Sequence, residues 1–300
     1  MVENVTEELE KKEAKKELLD PKLDYVFKRI FGHAGNEEIT KGLLSAIIKE
    51  PINDITLDCN PITEKDLLDD KFGILDIKAK LNNNTSCNIE MQVVDKKNVE
   101  KRILFYWSQM YIKTIKSTED YKDLEKCIVI LFVDYNLKNL EGENYFTKWN
   151  IREEKNTKII LTDVLEIYII ELNKVKENKQ NKDLLNLWVQ FINNPEATLN
   201  MENEEIKKAK KVLEEISQDE DERYKADLRK KYIRDQKAIA DAGFDKGLEA
   251  GIKQGIKKGI EQGIEQIAKK MKQKNKSIEE IIEFTGLSKE QIDEIETDEY

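Results

Sequence analysis

Two neighbouring segments within residues 73–94 carry acidic and amide side chains at alternating positions. In the first, Asp76 and Lys78 alternate with apolar residues, and in the second, Glu90 and Gln92 do the same. Successive side chains of a β-strand point to opposite faces, so each predicted strand has one apolar and one polar face. A polar strand face is usually only solvated, but here two carboxylates, lysines and an amide converge on one patch, which is the candidate site.

The turn between these strands decides which side chains meet. With residues 82–86 as the loop, a symmetric antiparallel register sets Asp76 opposite Gln92 and Lys78 opposite Glu90. Directly opposed Cβ atoms lie about 5 Å apart and diagonal ones roughly 7–8 Å. The carboxylates of Asp76 and Glu90 are then diagonal neighbours, and both can reach one cation between them.

A carboxylate on one strand followed by E-x-Q on the next is close to the D…E-x-K pattern of metal-dependent nucleases. Two carboxylates hold a hard divalent cation, and the intervening backbone carbonyl can add an oxygen ligand. The metal activates a water and neutralises charge that develops on the phosphate. The last residue, normally Lys and here Gln92, can orient that water. By itself the pattern is weak, because acids with this spacing are common on strands.

Two predicted helices could bring further side chains to the patch. In the helix LDYVFKRIF, Asp24 and Lys28 share the polar face. They either form an ordinary helix ion pair or contribute an acid and a cation to the site. In the helix of about 96–116, a polar stripe runs beside the buried one. That stripe follows the hairpin directly and consists of Arg102, Tyr106, Gln109 and Lys113.

Composition sets wide limits on function. The 300 residues include 51 basic and 61 acidic ones, and the net charge of −10 argues against a generally basic coat but allows a locally basic groove. There is no apolar signal region, and the longest apolar run, Ile128–Val133, is too short to span a bilayer. We therefore expect a cytoplasmic protein with no membrane partner. Without a G-x-x-x-x-G-K-[ST] motif, we expect no nucleotide cofactor.

The order of predicted elements indicates an α/β fold with a mixed central sheet flanked by helices, plus an all-α C-terminal extension. The segment KCIVILFVD is apolar on both faces, as expected for a strand covered on both sides. The predicted parts are a charged N-terminal segment at 1–19, an α/β domain at 20–198, a charged helical arm at 199–242, a glycine-repeat helix at 243–266 and a small helix-turn-helix-like motif at 267–300.

The glycine-repeat helix has a glycine at every fourth position from Gly243 to Gly263, each followed by a large apolar residue. Glycine costs a helix about 1 kcal/mol relative to alanine, so something must offset several kcal/mol. Either two helices approach closely along the glycines, as in a homodimer or higher oligomer, or the segment is a weakly helical tether. The regular apolar residues favour self-association.

The C-terminal motif has Ser277 and Ser288 as N-cap candidates and a tight turn around Gly286. Between Glu283 and Tyr300 there are one lysine and seven acids. Because that charge repels DNA, a structural or protein-contacting role is favoured over reading of DNA bases.

Several stretches together resemble one known family. LDPKLDYVFKRIFG, LDIKAK, NIEMQ, KRILFYWSQMY and TDVLEIYIIELNK, in this order, are similar to the Rpn family of recombination-promoting nucleases and transposase-like proteins, in the PD-(D/E)XK superfamily. The resemblance covers about residues 19–287 and implies a PD-(D/E)XK nuclease-like fold. It also implies metal-dependent DNA cleavage linked to recombination, mobile elements or phage defence. The family's catalytic acids fall on Asp76 and Glu90, and its strand-end polar residue on Gln92.

The sequence thus predicts a DNA endonuclease with Mg²⁺, or alternatively Mn²⁺ or Ca²⁺, held by Asp76 and Glu90. Because Gln92 is uncharged, we expect Lys78 to supply the positive charge that Lys provides in the wider superfamily. The alternative is a catalytically inactive nuclease fold that serves as a DNA- or protein-interaction module, which the acidic net charge and Gln92 favour. DNA is expected to approach through Lys78, Lys80, Lys96, Lys97, Arg102 and Lys113.

Overall fold

The structure is a computed structural model that describes most of the chain. The described residues are 16–60, 62–68, 76–95, 97–116, 118–142, 144–175, 183–197 and 202–296. The chain divides into two compact units, the first ending at Arg234 and the second beginning at Asp235.

The described strands of the first unit form one six-stranded sheet. They are β1 (Ile55–Leu57), β2 (Ile77–Leu81), β3 (Ser86–Gln92), β4 (Cys127–Val133), β5 (Phe146–Trp149) and β6 (Leu165–Glu171). Their order across the sheet is β1-β2-β3-β4-β6-β5, with β3, β4 and β6 parallel and the other pairings antiparallel. The predicted mixed sheet is therefore confirmed. Strand β5 pairs with β6, and an antiparallel bridge joins Arg152 and Ile160 beyond it.

Helices pack against this sheet on both faces. In the described part of the first unit they are α1 (Asp24–Phe31), α2 (Glu37–Ile48), α3 (Glu64–Leu67), α4 (Val99–Ile112), α5 (Leu184–Asn193), α6 (Glu204–Gln218) and the first turns of α7 (Glu220–Gln273). α1, α2, α5 and α6 share one apolar cluster with the sheet, and α4 shares a second. Along the described residues, no helix is both long enough and apolar enough to cross a membrane.

Strand β4 separates the two apolar clusters. Ile128, Ile130 and Phe132 join the larger cluster, and Val129, Leu131 and Val133 join the cluster under α4. All of its residues are buried, which confirms the prediction of a strand covered on both sides. Burying a side chain of this size stabilises a fold by about 1.5–3 kcal/mol, so β4 anchors the sheet that positions the site.

Helix α6 belongs to the core of the first unit. Asn203 caps it by accepting a hydrogen bond from the backbone N–H of Ile206 (2.8 Å), and Ile206, Ala209 and Leu213 are buried in the larger cluster. These residues recur at helical spacing and form the buried stripe of an otherwise charged helix. The stretch predicted as a charged arm thus begins with a helix that is packed in the first unit.

The second unit holds the glycine repeat and two short helices, α8 (Ile278–Thr285) and α9 (Lys289–Glu294). The hydroxyls of Ser277 and Ser288 cap α8 and α9, and Gly286 makes the turn at a φ of 69°, as predicted. In the repeat, a Cβ added at any glycine would meet nothing within 4 Å beyond the local helix backbone. The adjoining side chains that are more than half exposed are Phe244, Leu248, Ile252, Ile256 and Ile260.

Candidate active site

The β2–β3 hairpin carries the candidate site in a register that differs from the predicted one. Ile77 pairs with Ile89, and Lys78 pairs with Asn88. The prediction that Lys78 faces Glu90 is therefore wrong. A shift of two positions keeps the same side chains on the polar face, because the side-chain period of a strand is two.

A shorter loop explains the shift in register. Residues Asn82–Asn84 form a 3-10 turn, in which Asn84 has a φ of 62°, a left-handed conformation that asparagine adopts more readily than most residues. Extending this register by one position beyond the Ile77–Ile89 pair places Asp76, which immediately precedes β2, across from Glu90 rather than from Gln92. The two carboxylates are thus opposed instead of diagonal.

The polar side chains of β3 point to the face that α4 covers. The odd-numbered residues of 87–91 belong to the larger apolar cluster, so the alternate residues point to the other face. Asn88, Glu90 and Gln92 are each 6–7% exposed. The Nδ2 of Asn88 donates a hydrogen bond to Oδ2 of Asp76 (3.2 Å), which ties the two strands together through polar groups.

Glu90 is the centre of a hydrogen-bond network. Its Oε1 accepts a hydrogen bond from Nε2 of Gln92 (2.5 Å) and forms an ion pair with Nη2 of Arg102 on α4. The guanidinium of Arg102 lies 5.7 Å from the ring centre of Tyr106, one helical turn further on. At the far side, Oε1 of Gln92 accepts a hydrogen bond from the hydroxyl of Tyr135 (2.9 Å). Of the predicted polar stripe of α4, Arg102 therefore meets the polar face of the hairpin.

Two residues of the site, Asn88 and Tyr135, were not predicted as site residues. Alternation along β3 was a usable signal for Asn88, because it puts that residue on the same face as Glu90. Tyr135 is 43 positions from Gln92 in sequence. It reaches Gln92 because β4 lies parallel to β3, with Gln92 beside Val133, and no local pattern encodes that pairing.

The electrostatics of the site are dominated by burial. Burial raises the pKa of Asp76, and the hydrogen bond from Asn88 and the charges of Lys78, Arg102 and Lys28 offset this only in part. Burial likewise lowers the pKa of Lys28, whose charge the carboxylate of Asp76 favours. An acid and a base shifted towards their neutral forms in one place are typical of functional sites.

The structure brings Lys28, but not Asp24, towards these acids. Lys28 is 7% exposed and interacts electrostatically with Asp76 and Lys78. The carboxylate of Asp24 instead accepts hydrogen bonds from Nε (3.0 Å) and Nη2 (2.6 Å) of Arg229 at the start of α7. Asp24 therefore fixes α1 to α7.

The basic residues predicted to contact DNA are spread over the surface. Lys80 forms an ion pair with Glu125, and Lys97 is exposed beside the N-terminus of α4. Lys113 is exposed at the opposite end of α4, about 16 Å along the axis from Arg102 at 1.5 Å per residue. Lys96 lies outside the described residues.

The donor set of the site fits a hard divalent cation. Asp76 and Glu90 offer carboxylate oxygens on opposed strand positions, and such oxygens are the ligands that Mg²⁺ and Ca²⁺ prefer. Among the residues that the structure describes, no group of three or more His, Cys, Asp or Glu side chains converges for metal binding. A cation that keeps several water ligands, as Mg²⁺ does, is compatible with two carboxylates.

Comparison with known proteins identifies one similarity. Residues 21–243, well over half of the chain, match the model of a protein family described as PD-(D/E)XK nuclease family transposase. Neither the curated proteins nor the solved structures contain a match to the chain. The matched range includes the sheet and each residue of the Glu90 network.

Proposed function

Because the chain belongs to the PD-(D/E)XK nuclease family transposases, we propose that it is a metal-dependent endonuclease that hydrolyses phosphodiester bonds of DNA. The observation that supports this best is the convergence of two acids, Asp76 and Glu90, on one covered polar face beside Arg102. The family is of nuclease type, and PD-(D/E)XK nucleases generally use divalent metals. The biological setting we propose is recombination, mobile elements or phage defence.

Asp76 and Glu90 would hold the cation, with Mg²⁺ as the first choice and Mn²⁺ or Ca²⁺ as alternatives. When bound, the metal would supply a Lewis acid and a water of lowered pKa. Burial disfavours the ionised form of Asp76. A cation beside this carboxylate would favour its ionised form and thereby couple metal binding to proton release.

Gln92 and Arg102 together would replace the single lysine of the wider superfamily. Gln92 is a neutral donor that holds Glu90 in place. The missing positive charge is assigned to Arg102, because its guanidinium forms an ion pair with Glu90. Lys78 is exposed and pairs with Asn88 instead of Glu90. We therefore assign the role of the positive charge, which was expected for Lys78, to Arg102.

DNA would approach from the exposed cations around the hairpin and the N-terminus of α4. Lys78 and Lys97 are the exposed candidates closest in sequence to the two acids. Neutralising a cation that contacts a phosphate reduces the number of counterions released on binding. Lys78→Ala and Lys97→Ala together should therefore flatten the salt dependence of DNA affinity, measured by fluorescence anisotropy at several salt concentrations.

The decisive experiment is plasmid cleavage in the presence of Mg²⁺, Mn²⁺, Ca²⁺ or EDTA. The wild type would be compared with Asp76→Ala and Glu90→Ala, purified in the same way. Metal-dependent nicking or linearisation that disappears in both variants would support the nuclease and its two acids together. Cleavage that persists in both variants would contradict the assignment of the site.

The alternative function is a catalytically inactive interaction module with the same fold. It is favoured by Gln92 in place of lysine and by the ion pair that already engages Glu90. Melting curves distinguish the two functions, because a ligand that binds only the folded state raises the melting temperature. An Mg²⁺- or Mn²⁺-dependent rise that Asp76→Asn abolishes would favour the enzyme; no rise in the wild type would favour the module.

We also propose that the glycine repeat pairs with a second copy of the chain. A Cβ added at any of its glycines would meet nothing within 4 Å beyond the local helix backbone, and five of the adjoining apolar side chains are more than half exposed. Sedimentation velocity should show at least a dimer, which Gly251→Leu and Gly255→Leu would weaken by separating the helices. A monomeric wild type at micromolar concentration would favour the tether.

A further inference from the structure

Tyr135 lies at the exit of β4, next to the proposed active site but outside the two strands that define it. Its ring packs against the apolar cluster under α4, and its side chain is partly buried. Its hydroxyl donates a hydrogen bond to Oε1 of Gln92 (2.9 Å). Burial raises the pKa of Tyr135, so the phenol stays protonated and keeps its donor at neutral pH.

The hydrogen bond from Tyr135 holds the oxygen of the Gln92 amide, while the carboxylate of Glu90, which only accepts, distinguishes the two ends of that amide. An amide has an oxygen that only accepts and a nitrogen that only donates. With Oε1 bound to Tyr135, Nε2 faces Oε1 of Glu90 (2.5 Å). A rotation of the amide by 180° would place its oxygen against the carboxylate of Glu90 and its NH₂ group against the Tyr135 hydroxyl, so the contact with Glu90 would become repulsive.

We propose that Tyr135 is a positioning residue that fixes the amide of Gln92 in the orientation that donates to Glu90. This inference rests on the proposed nuclease function for its kinetic consequence, but the orientation itself does not. A neutral glutamine needs such a partner more than a lysine does, since the ammonium group donates in every orientation. Outer-shell partners of metal ligands typically contribute about 10–100-fold in affinity or activity.

The first test compares Tyr135→Phe with the wild type by NMR of the Gln92 side-chain amide. The Gln92 resonances would be assigned by their absence in Gln92→Met. In the wild type, the NH₂ protons should be shifted downfield and slow to exchange, and in Tyr135→Phe they should move towards free-amide values. Unchanged Gln92 resonances would overturn the proposal. This test does not need cleavage, so it separates a failure of the positioning role from a failure of the nuclease function.

The second test is kinetic. Tyr135→Phe keeps the ring and its packing, so we expect kcat for DNA cleavage to fall about tenfold with KM and the melting temperature nearly unchanged. Tyr168→Phe is the matched control, since its hydroxyl also donates to a carboxylate of the sheet, that of Glu166 (2.6 Å), and its loss should leave kcat unchanged.

A double-mutant cycle with Gln92→Ala shows whether Tyr135 acts through Gln92. If it does, Tyr135→Phe should have no further effect on kcat once Gln92 is removed. Fold-losses that simply multiply would contradict the proposal, as would wild-type kcat in Tyr135→Phe. These outcomes are distinct from general destabilisation, which would lower the melting temperature in both backgrounds.

Discussion

Two of the buried carboxylates of the sheet have different surroundings, Glu90 on β3 and Glu166 on β6. Glu166 forms ion pairs with Lys126 (3.0 Å) and Lys148 (3.0 Å) and accepts a hydrogen bond from Tyr168 (2.6 Å). Burial would raise the pKa of Glu166, but the hydrogen bonds from Tyr168, Lys126 and Lys148 outweigh it and lower the pKa. Glu166 is therefore held ionised by the protein alone.

Asp76, the acid that precedes β2 of the hairpin, lacks that degree of compensation. Glu90 shares its face with Asp76, and burial raises the pKa of Asp76 despite the nearby cations. The comparison teaches that burial of an acid does not by itself mark a functional site. A functional site is better indicated by a second carboxylate beside the first, together with a pKa shifted so that the neutral form of the acid is favoured.

The largest difference is expected in cleavage. Glu90→Gln should reduce the cleavage rate by about a thousandfold, because charge stabilisation by a metal is worth several kcal/mol and each 1.4 kcal/mol is tenfold. Glu166→Gln, on the other face of the sheet, should cleave at nearly the wild-type rate. Single-turnover cleavage of a labelled duplex measures both. Equal losses would mean that the sheet, rather than the hairpin face, is what the reaction depends on.

The cations beside the two carboxylates should also differ. Arg102→Met should lower cleavage by about 10–100-fold, as for other outer-shell partners, while the Mg²⁺-dependent rise in melting temperature persists or grows because a competitor for Glu90 is gone. Lys126→Met, which removes one partner of Glu166, is the control and should leave cleavage unchanged. Loss of the Mg²⁺ response in Arg102→Met would show that Arg102 supports metal binding instead of competing with it.

For stability, we expect Glu166→Gln to have a larger effect than Glu90→Gln, the reverse of the order expected for cleavage. Glu166→Gln should lower the free energy of unfolding by about 1–3 kcal/mol, because hydrogen bonds to a charged group are lost and two lysines remain. Glu90→Gln should lower it less in the metal-free protein, since the lost ion pair with Arg102 is offset in part by the removal of one of two adjacent acids. Urea denaturation in EDTA measures both values. A larger loss for Glu90→Gln would place Glu90 among the structural acids.

The pH dependence of stability isolates Asp76. Its pKa is higher in the folded state than in the unfolded state, so the folded protein binds this proton more tightly. The metal-free protein should therefore lose stability as pH rises from about 4, the ordinary value for Asp, through the folded pKa. Asp76→Asn should remove that loss. Parallel curves of unfolding free energy against pH for the two proteins would refute the assignment of the shift to Asp76.

The smallest effect is expected at Lys78. Because it is exposed and pairs with Asn88, Lys78→Ala should reduce cleavage only about two- to threefold at low salt and less at high salt, where surface charges are screened. Cleavage rates at two salt concentrations test this. A loss as large as that of Arg102→Met would mean that Lys78 supplies the positive charge that lysine provides in the wider superfamily.

Local patterns in the sequence were sufficient for the elements but not for their register. Alternation identified the polar face that carries Asp76 and Glu90, and the apolar run of β4 predicted burial on both sides, because both signals repeat within a few residues. The register prediction was wrong because the loop at Asn82–Asn84 is shorter than expected. The left-handed φ at Asn84 that shapes this loop depends on the whole turn.

Contacts between residues that are far apart in the chain could not be predicted from sequence patterns. Arg229 reaches Asp24 across 205 positions and Tyr135 reaches Gln92 across 43. Neither contact follows from periodicity, because each depends on which helix or strand packs beside the other. The sequence offered two roles for Asp24, an ion pair with Lys28 or a place in the site. Its partner in the structure is instead Arg229.

The raised pKa of Asp76 also has an evolutionary consequence. An acid whose pKa is raised in the folded protein destabilises the fold when it is ionised, and a neutral residue at position 76 would relieve that cost. Lineages released from the need to cut DNA should therefore drift first towards asparagine or an apolar residue there. An aspartate that persists at this position across descendants would record continuing selection for the reaction, independently of any assay.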